Sequence, residues 1–342
     1  MKPNNITRAI IDATVDRSLR EIEQDPQRSV RKLADMGHRV PARSRFLDDI
    51  YDIVQDLLRN DDSPYYTAIG RLLRYTDRKG IKRFFINIGY NSLTFGRKII
   101  RESESSRSFQ IPWCLVLHMN PLQRSSINAA DLYHFVEQGN ALGIYSFIIL
   151  LDGSVSRSPD LPKIFSENTD SAFVCIMPDE VLDDVQIRQL KSCTNTLIMI
   201  ESNAASTESN IQKMQSNKLL CGLCNRYSDE TADEWIRGDR MKELNQYNSA
   251  ISFLVPEETC SQETRQRMGQ YVRKLRTQPL YPFIPFELTC DVMEINKIIC
   301  EQPCYFELLE NGDILTKDDT VMEYRHTLSL EQMLSFALHE EA

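Results

Sequence analysis

The stretch IPWCLVLHMNPLQRSS, from Ile111 to Ser126, decides the fold of this chain. Its first part, residues 111–117, is a nearly unbroken apolar run, which is typical of a parallel strand covered on both faces. We predict a polar loop from His118 to Ser126 and then a helix, for which Asn128 supplies the cap. The connection between the strand and the helix is therefore short.

Strands and helices alternate from this stretch onwards. The predicted strands are residues 112–117, 145–151, 172–177, 196–200, 219–223 and 250–255. Helices are predicted to begin near Asn128, Asp160, Asp179, Ser206, Asp229 and Cys260. This interval is typical of βαβ units in a parallel sheet. Because the crossovers are right-handed, such units form either an open doubly wound sheet or part of a barrel, and the pattern alone favours neither.

The residues before and after the region of alternating strands and helices have other patterns. Residues 5–76 read as four helices, the second beginning at Asp25, the third covering residues 46–57 and the fourth opening at Ser63. Residues 79–103 continue as a helix. After Pro279 comes a helix-like stretch to Cys300, then a hairpin. Asn311-Gly312 predicts its turn, with positive φ at both positions, and an amphipathic helix follows over residues 329–339. We therefore divide the chain into residues 1–107, 108–279 and 280–342.

Three runs carry a resemblance to a known family. They are KRFFINIGYNSLTFGRKIIRE (Lys82 to Glu102), IPWCLVL (Ile111 to Leu117) and DLYHFVEQGNALGIYSFII (Asp131 to Ile149). They resemble a group of bacterial radical S-adenosylmethionine (SAM) proteins, in which a C-x-x-x-C-x-x-C loop after the first strand holds three irons of a four-iron four-sulfur cluster. Here no cysteine lies between Cys114 and Cys175. The chain resembles a degenerate member that lacks the cluster motif.

The resemblance implies an α/β fold: a partial (βα)6 TIM-type barrel with an N-terminal helical region. The last 63 or so residues resemble a reduced SPASM or twitch-type extension, a hairpin plus a helix. We therefore expect no four-iron four-sulfur cluster, since soft clusters need thiolates and His118, Asn120, Gln123 and Ser125 of the loop cannot replace them.

The same resemblance implies weak binding of SAM. In the family, a turn after the second strand binds the amino group of SAM, and Asp152 falls at that turn. An acidic residue at the end of the fourth strand corresponds to Glu201, and the end of the sixth strand, at Val255 and Pro256, corresponds to an adenine wall. Each has a simpler reading: Asp152 as a solvated turn residue, Glu201 as a helix cap, Val255 and Pro256 as packing. No catalytic residue and no metal ligand is assigned.

The cysteines raise the question of a metal site. Cys221 and Cys224 form a C-x-x-C, but residues three apart on a strand face opposite sides. Cys290, Cys300 and Cys304 offer three thiols without a clear fourth, so neither zinc nor an auxiliary cluster is well supported. Nine cysteines, an odd number, indicate buried reduced thiols.

Composition excludes several classes of protein. The chain has 342 residues, 42% hydrophobic and 26% charged, which is typical of a globular protein. A net charge of -9 argues against a general nucleic-acid binder, which needs a basic face. No apolar run reaches about 18 residues, and the first residues do not form a signal peptide. We expect a cytoplasmic protein without a membrane span.

Two functions compete at this point. The first is a pseudoenzyme that pairs with an active radical SAM enzyme or presents a substrate to it. The second is a repurposed barrel enzyme that uses His118, Asp152, Glu201 and Cys224 for cluster-independent chemistry. His118 is the one histidine of five that stands at a predicted strand end. We favour the pseudoenzyme, because loss of several independent SAM motifs is more easily reconciled with loss of catalysis.

The shortened loop also predicts the shape of the barrel mouth. By the resemblance, Leu122, Leu150 and Leu151 stand where the family has cysteines, serine or glycines, so we expect them to collapse inward and give a narrow or occluded mouth. In that case His118, Asp152 and Glu201 would lie at the rim without converging on one point.

Overall fold

The structure is a computed structural model that describes residues 5–22, 58, 60–120, 126–152, 159–318, 322–323 and 328–339. The predicted helices at Asp25 and over residues 46–57 lie outside these ranges, as does Leu122. Within the described part, no helix is long and apolar enough to cross a membrane.

One sheet of ten strands forms the centre of the molecule. Its strands are β1 (Cys114–Met119), β2 (Ser146–Leu151), β3 (Ala172–Met177), β4 (Thr196–Glu201), β5 (Cys221–Tyr227), β6 (Ile251–Pro256), β7 (Ile284–Glu287), β8 (Phe306–Leu308), β9 (Asp313–Thr316) and β10 (Met322–Glu323). Their order across the sheet is β10-β9-β8-β1-β2-β3-β4-β5-β6-β7. All neighbours from β8 to β7 are parallel, whereas β8-β9 and β9-β10 are antiparallel.

Helices connect the strands and precede them. They are α1 (Asn5–Ile22), α2 (Pro64–Tyr75), α3 (Arg78–Ile86), a π-helix (Asn87–Gly96), α4 (Arg97–Glu104), α5 (Ala129–Leu142), α6 (Leu161–Glu167), α7 (Asp184–Leu190), α8 (Thr207–Ser216), α9 (Ala232–Ile236), α10 (Asp239–Leu244), a 3₁₀ turn (Asn245–Tyr247), α11 (Gln262–Thr277), α12 (Leu288–Cys300) and α13 (Leu330–Ala337). The helix predicted over residues 79–103 is therefore three helical segments in direct succession.

All six predicted strands are confirmed, with two shifts that matter for the site. The first strand ends at Met119, so His118 lies inside β1 and not in a loop as predicted. The fifth strand does not end at residue 223 but runs on to Tyr227, which places Arg226 on the sheet. Two further parallel strands, β7 and β8, extend the sheet beyond the six that the sequence predicted.

The sheet curls into a partial barrel, as predicted. Asp152 follows β2 and Arg226 lies on β5, three strands away, yet their side chains are 3.9 Å apart. In a flat sheet the two strands would be about 14 Å apart, at about 4.8 Å per strand. Curling brings the side chains together on the concave face. The ring is not closed, because β7 and β8 are not paired in the described part.

The N-terminal helices cover the end of the barrel where the strands begin. Asn87 donates hydrogen bonds from Nδ2 to the carbonyl oxygens of Thr169 and Ser171, just before β3. Arg71 donates to the carbonyl oxygen of Pro282, just before β7. This end is therefore closed by α2, α3 and the π-helix, and the carboxyl ends of the strands lie opposite.

The C-terminal hairpin is confirmed, with a different turn from the predicted one. The amide of Gly312 donates to the carbonyl oxygen of Leu309 at 3.0 Å, and Gly312 has φ of 91°. Asn311 is not among the residues with positive φ, so the loop is a three-residue type with glycine at its left-handed position. Because β8 also pairs with β1, this hairpin continues the barrel sheet. The proposed domain boundaries stay predictions.

Candidate functional site

Five charged side chains gather at the carboxyl end of the barrel. They are Glu307 on β8, His118 on β1, Asp152 after β2, Glu201 on β4 and Arg226 on β5. We call them the mouth network. In parallel barrels this end is where functional sites are built, because the strand ends converge there.

His118 is the buried centre of the mouth network, and only 5% of the residue is exposed. Its Nε2 lies 2.7 Å from Oε1 of Glu307, and its Nδ1 lies 3.3 Å from Oδ2 of Asp152. Burial by itself lowers the pKa of His118, but the hydrogen bonds to Asp152 and Glu307 outweigh it and raise the pKa to about 9. His118 is therefore a cation at neutral pH that donates both ring N–H groups to carboxylates.

Glu307 is held on both of its oxygens. Oε1 accepts from His118, and Oε2 accepts from the hydroxyl of Tyr305 at 2.8 Å. Burial acts to raise the pKa of Glu307, but the hydrogen bond and the charge of His118 prevail and lower it. Glu307 is thus an ionised carboxylate whose partners lie within the protein.

Arg226 bridges the other two acidic residues more loosely. Its Nε lies 3.5 Å from Oε1 of Glu201, and its Nη2 lies 3.9 Å from Oδ1 of Asp152. Both distances exceed the usual length of an N–H···O hydrogen bond, about 2.7–3.2 Å. Between 28% and 34% of each of the three side chains is exposed. This half of the network is therefore open to solvent, unlike the half around His118.

The structure links the predicted site residues in a row. His118 and Asp152 are in hydrogen-bond contact, and Arg226 lies between Asp152 and Glu201. That His118, Asp152 and Glu201 do not converge on one point stays a prediction. Arg226, a cation that lies between the two carboxylates, was not predicted from the sequence. The alternation of Gly222, Cys224 and Arg226 on one face of β5 was the available signal.

The apolar residues at the mouth divide between the two faces of the sheet. Leu150 pairs with His118 in the sheet register, and Val255 pairs with Arg226, so both lie on the concave face with the mouth network. Leu151 lies on the outer face, where it lines a cavity of about 210 Å³ beside α6 and α7. Pro256 pairs with Tyr227 and also faces outward. The prediction that Leu151 fills the mouth is therefore wrong. Whether Asp152, Glu201, Val255 and Pro256 bind SAM stays a prediction.

The nine cysteines are free thiols. Burial raises the pKa of every one of them, to about 12 for Cys221 and Cys224. Cys224 pairs with Glu201 on the concave face, and Cys221 lies on the other face. Within the described residues, no group of three or more His, Cys, Asp or Glu is arranged to bind a metal ion.

A further acidic residue at the strand ends, outside the mouth network, was not predicted from the sequence. Glu287, at the end of β7, is fully buried and accepts a hydrogen bond from the hydroxyl of Tyr227 at 2.7 Å. It also accepts from the backbone amide of Cys290 at 2.6 Å. Burial, more than the nearby Asp291, raises the pKa of Glu287 to about 7. In the sheet register Glu287 pairs with Leu254 on the outer face, and its hydrogen bonds link β7 to β5 and α12.

The fold and the site together define an α/β partial barrel with a charged network at its carboxyl end. No family model matches the chain, and no curated protein matches it. Among solved structures, the chain is similar to SuiB of Streptococcus suis bound to S-adenosylmethionine, with 13% identity and a TM-score of 0.48 over 71% of this chain and 68% of SuiB.

Two other SuiB structures give similar values. For SuiB without a named ligand the identity is 12% and the TM-score 0.43, over 64% of this chain and 63% of SuiB. For SuiB bound to its precursor peptide SuiA the identity is 12% and the TM-score 0.44, over 64% and 62%.

Proposed function

We propose that this chain is a radical SAM-like barrel without an iron-sulfur cluster that works by binding, as partner or substrate-presenting subunit of an active radical SAM enzyme. The observation that carries the proposal is the state of His118. Both of its ring nitrogens are hydrogen-bonded to carboxylates at the place where a barrel enzyme would hold its reactive groups. The charged groups of the mouth network are therefore paired with one another.

The residues of this chain do not fit a radical SAM cluster. Such a cluster needs three thiolates from one short loop, and no cysteine lies between Cys114 and Cys175. Those two cysteines lie on β1 and β3, where burial raises the pKa of both thiols. A thiol with a raised pKa is protonated at neutral pH, whereas a metal ligand must be a thiolate.

The hydrogen bonds of His118 also give less support to the alternative function, a repurposed barrel enzyme. A general base needs a nitrogen that is free to accept a proton, and a pKa near the working pH. His118 has neither, since both nitrogens donate and its pKa is raised to about 9. Cys224 is a poor nucleophile, because burial raises the pKa of its thiol to about 12.

Anaerobic reconstitution tests the absence of the cluster. We expect a colourless protein after incubation with iron and sulfide, with iron far below one per chain, because no three thiols converge in the described part of the chain. The measurement is iron and sulfide analysis with an absorbance spectrum. An active radical SAM enzyme treated in parallel is the control. Iron and sulfide near four each per chain would contradict the proposal.

Co-purification from the native host tests the binding role. We expect a stoichiometric partner whose sequence contains an intact C-x-x-x-C-x-x-C motif, identified by mass spectrometry. The control is the same purification from a strain that expresses the tag alone. A chain that purifies as a monomer and has no such partner would count against the proposal.

A further inference from the structure

We infer that the cavity on the outer face of the sheet, between α6 and α7, binds an aromatic side chain from a basic peptide segment of a partner protein. The inference deepens the proposed function, on which it rests, by naming a docking surface and the chemistry that this surface recognises. Leu151 lines this cavity and lies on the face of the sheet opposite to His118, so the docking surface is distinct from the mouth network.

The cavity is large enough for one aromatic ring. Its volume is about 210 Å³. For comparison, an engineered apolar cavity of about 150 Å³ in another protein binds benzene. Nine of the twelve residues that line the cavity are apolar. Of the other three, Asp183 and Gln186 already form the capping box of α7, in which each side chain accepts a hydrogen bond from the backbone amide of the other. The cavity therefore offers a mainly apolar surface to a ligand.

The floor of the cavity favours an aromatic ring over an aliphatic side chain. Cys175 and Met177 lie on the same face of β3, with Sγ and Sδ 3.6 Å apart, and both line the cavity together with Phe165 of α6. Sulfur atoms and aromatic rings make contacts with a ring that are favourable beyond the burial of apolar area. All three residues are almost fully buried, so these contacts form in the part of the cavity that is shielded from water.

The rim of the cavity favours a segment with positive charges. Val185 lines the cavity and is 51% exposed, so the cavity opens to solvent beside α7. The segments that form its two walls, residues 159–167 and 178–191, contain six acidic and three basic residues. An excess of acidic residues around an apolar opening attracts a segment with basic residues on both sides of its aromatic anchor. An anchor in a desolvated pocket with a polar rim is the usual arrangement at the centre of a protein interface.

Calorimetric titration with matched peptides tests the docking surface. The probes are the acetylated and amidated peptides KKFKK, KKLKK, KKAKK and EEFEE. We expect KKFKK to bind about tenfold more tightly than KKAKK and EEFEE, and more tightly than KKLKK. Equal affinity of KKFKK and any of the other three peptides would overturn the inference. Failure of KKFKK to saturate at millimolar concentration would overturn it as well.

Substitutions at the rim and at the floor locate the aromatic ring. Val185→Lys and Cys175→Leu are each expected to remove most of the preference for KKFKK over KKAKK. Val181→Lys is the matched control, because Val181 is similarly exposed, at 56%, and does not line the cavity. An equal loss of preference in this control would contradict the assignment.

The stability of Cys175→Leu tests the cavity without any ligand. The larger side chain enters an existing space, so the midpoint of thermal unfolding should stay unchanged or rise. A large fall in the midpoint would show that the space is not there, and the inference would then be wrong.

Two other occupants are distinguished by the same variants. Binding of toluene without binding of KKFKK would identify a pocket for a free apolar molecule and overturn the inference. A dimer of this chain that Val185→Lys abolishes in sedimentation experiments would identify a second copy as the occupant, with the same consequence.

The co-purified partner separates this inference from the proposed function. Val185→Lys is expected to lower the recovery of the partner at least fivefold, and Val181→Lys to leave it unchanged. An unchanged recovery with Val185→Lys would overturn the docking surface and leave the proposed function in place. Absence of any partner would count against the proposed function alone, because the peptide titrations decide the docking surface without it.

Discussion

Replacement of Glu307 by alanine is expected to lower the free energy of unfolding by about 3–5 kcal/mol, the usual cost of removing one partner from a buried ion pair. The substitution takes away the shorter of the two hydrogen bonds of His118, 2.7 Å long, and the acceptor of the Tyr305 hydroxyl. His118 then remains buried with only the longer contact to Asp152. Urea denaturation at pH 7 measures the change.

Two comparison variants make this result specific. Glu294→Ala removes the partner of Arg273 in an exposed pair on α11 and α12, which should cost no more than about 1 kcal/mol. Glu307→Gln keeps an oxygen that can accept from His118, so its cost should fall between the two. Equal losses in Glu307→Ala and Glu294→Ala would show that the mouth network is not a buried ion pair in solution.

The strands of the barrel could be predicted because they are buried on both faces. Their sequences are apolar runs with few polar interruptions, around Val116, Ile148, Val174 and Ile198. Such runs can be recognised without knowledge of the fold. The ends of β2 and β4 could also be predicted, since Asp152 and Glu201 are the first acidic residues after apolar runs. The outline of the barrel and half of the site follow from local pattern.

The other half of the site depends on contacts between distant parts of the chain. Glu307 lies on β8, a strand of three residues that pairs with β1, almost 190 residues earlier. Its sequence neighbourhood predicts only a hairpin, because nothing local indicates a second pairing on the other side. Arg226 follows Asn225, and two polar residues in succession read as a loop.

Burial explains why β5 continues through the polar residue Asn225. Asn225 is almost fully buried on the outer face, where its Nδ2 donates to the hydroxyl of Ser252 at 2.9 Å. The hydroxyl of Ser202 also bonds to it. The strand therefore continues through a residue that is usually found in turns, because its hydrogen bonds are satisfied by Ser202, just after β4, and by Ser252 on β6. Such partners are visible only in the folded chain.

The stability of the protein should fall as the pH rises from 6 to 8, by about 3 kcal/mol in total, at about 1.4 kcal/mol per pKa unit of difference between the folded and unfolded states. His118 has its pKa raised to about 9, against about 6.5 in the unfolded chain. Its contribution is complete below pH 6.5 and is lost as the pH rises through 9, about 2 kcal/mol of it between pH 6 and 8.

Glu287 also makes the stability fall as the pH rises. Burial raises its pKa from 4.5 to about 7, so the folded protein keeps a proton that the unfolded chain releases above pH 4.5. Its contribution is complete below pH 4.5 and is lost as the pH rises through 7, about 1 kcal/mol of it in this window. The buried thiols, whose pKa values are raised from 9, act only at higher pH.

Two variants separate the contributions when unfolding is measured by urea at pH 6, 7 and 8. His118 is replaced together with Glu307, because without His118 the burial of Glu307 would raise the pKa of this carboxyl and give it a pH dependence of its own. The pair His118→Gln and Glu307→Gln should remove about three fifths of the slope and Glu287→Gln about two fifths, since a group that no longer titrates contributes no pH dependence. All three substitutions together should leave a nearly flat profile. A wild-type stability that stays constant or rises over this range would contradict the raised pKa values of both His118 and Glu287.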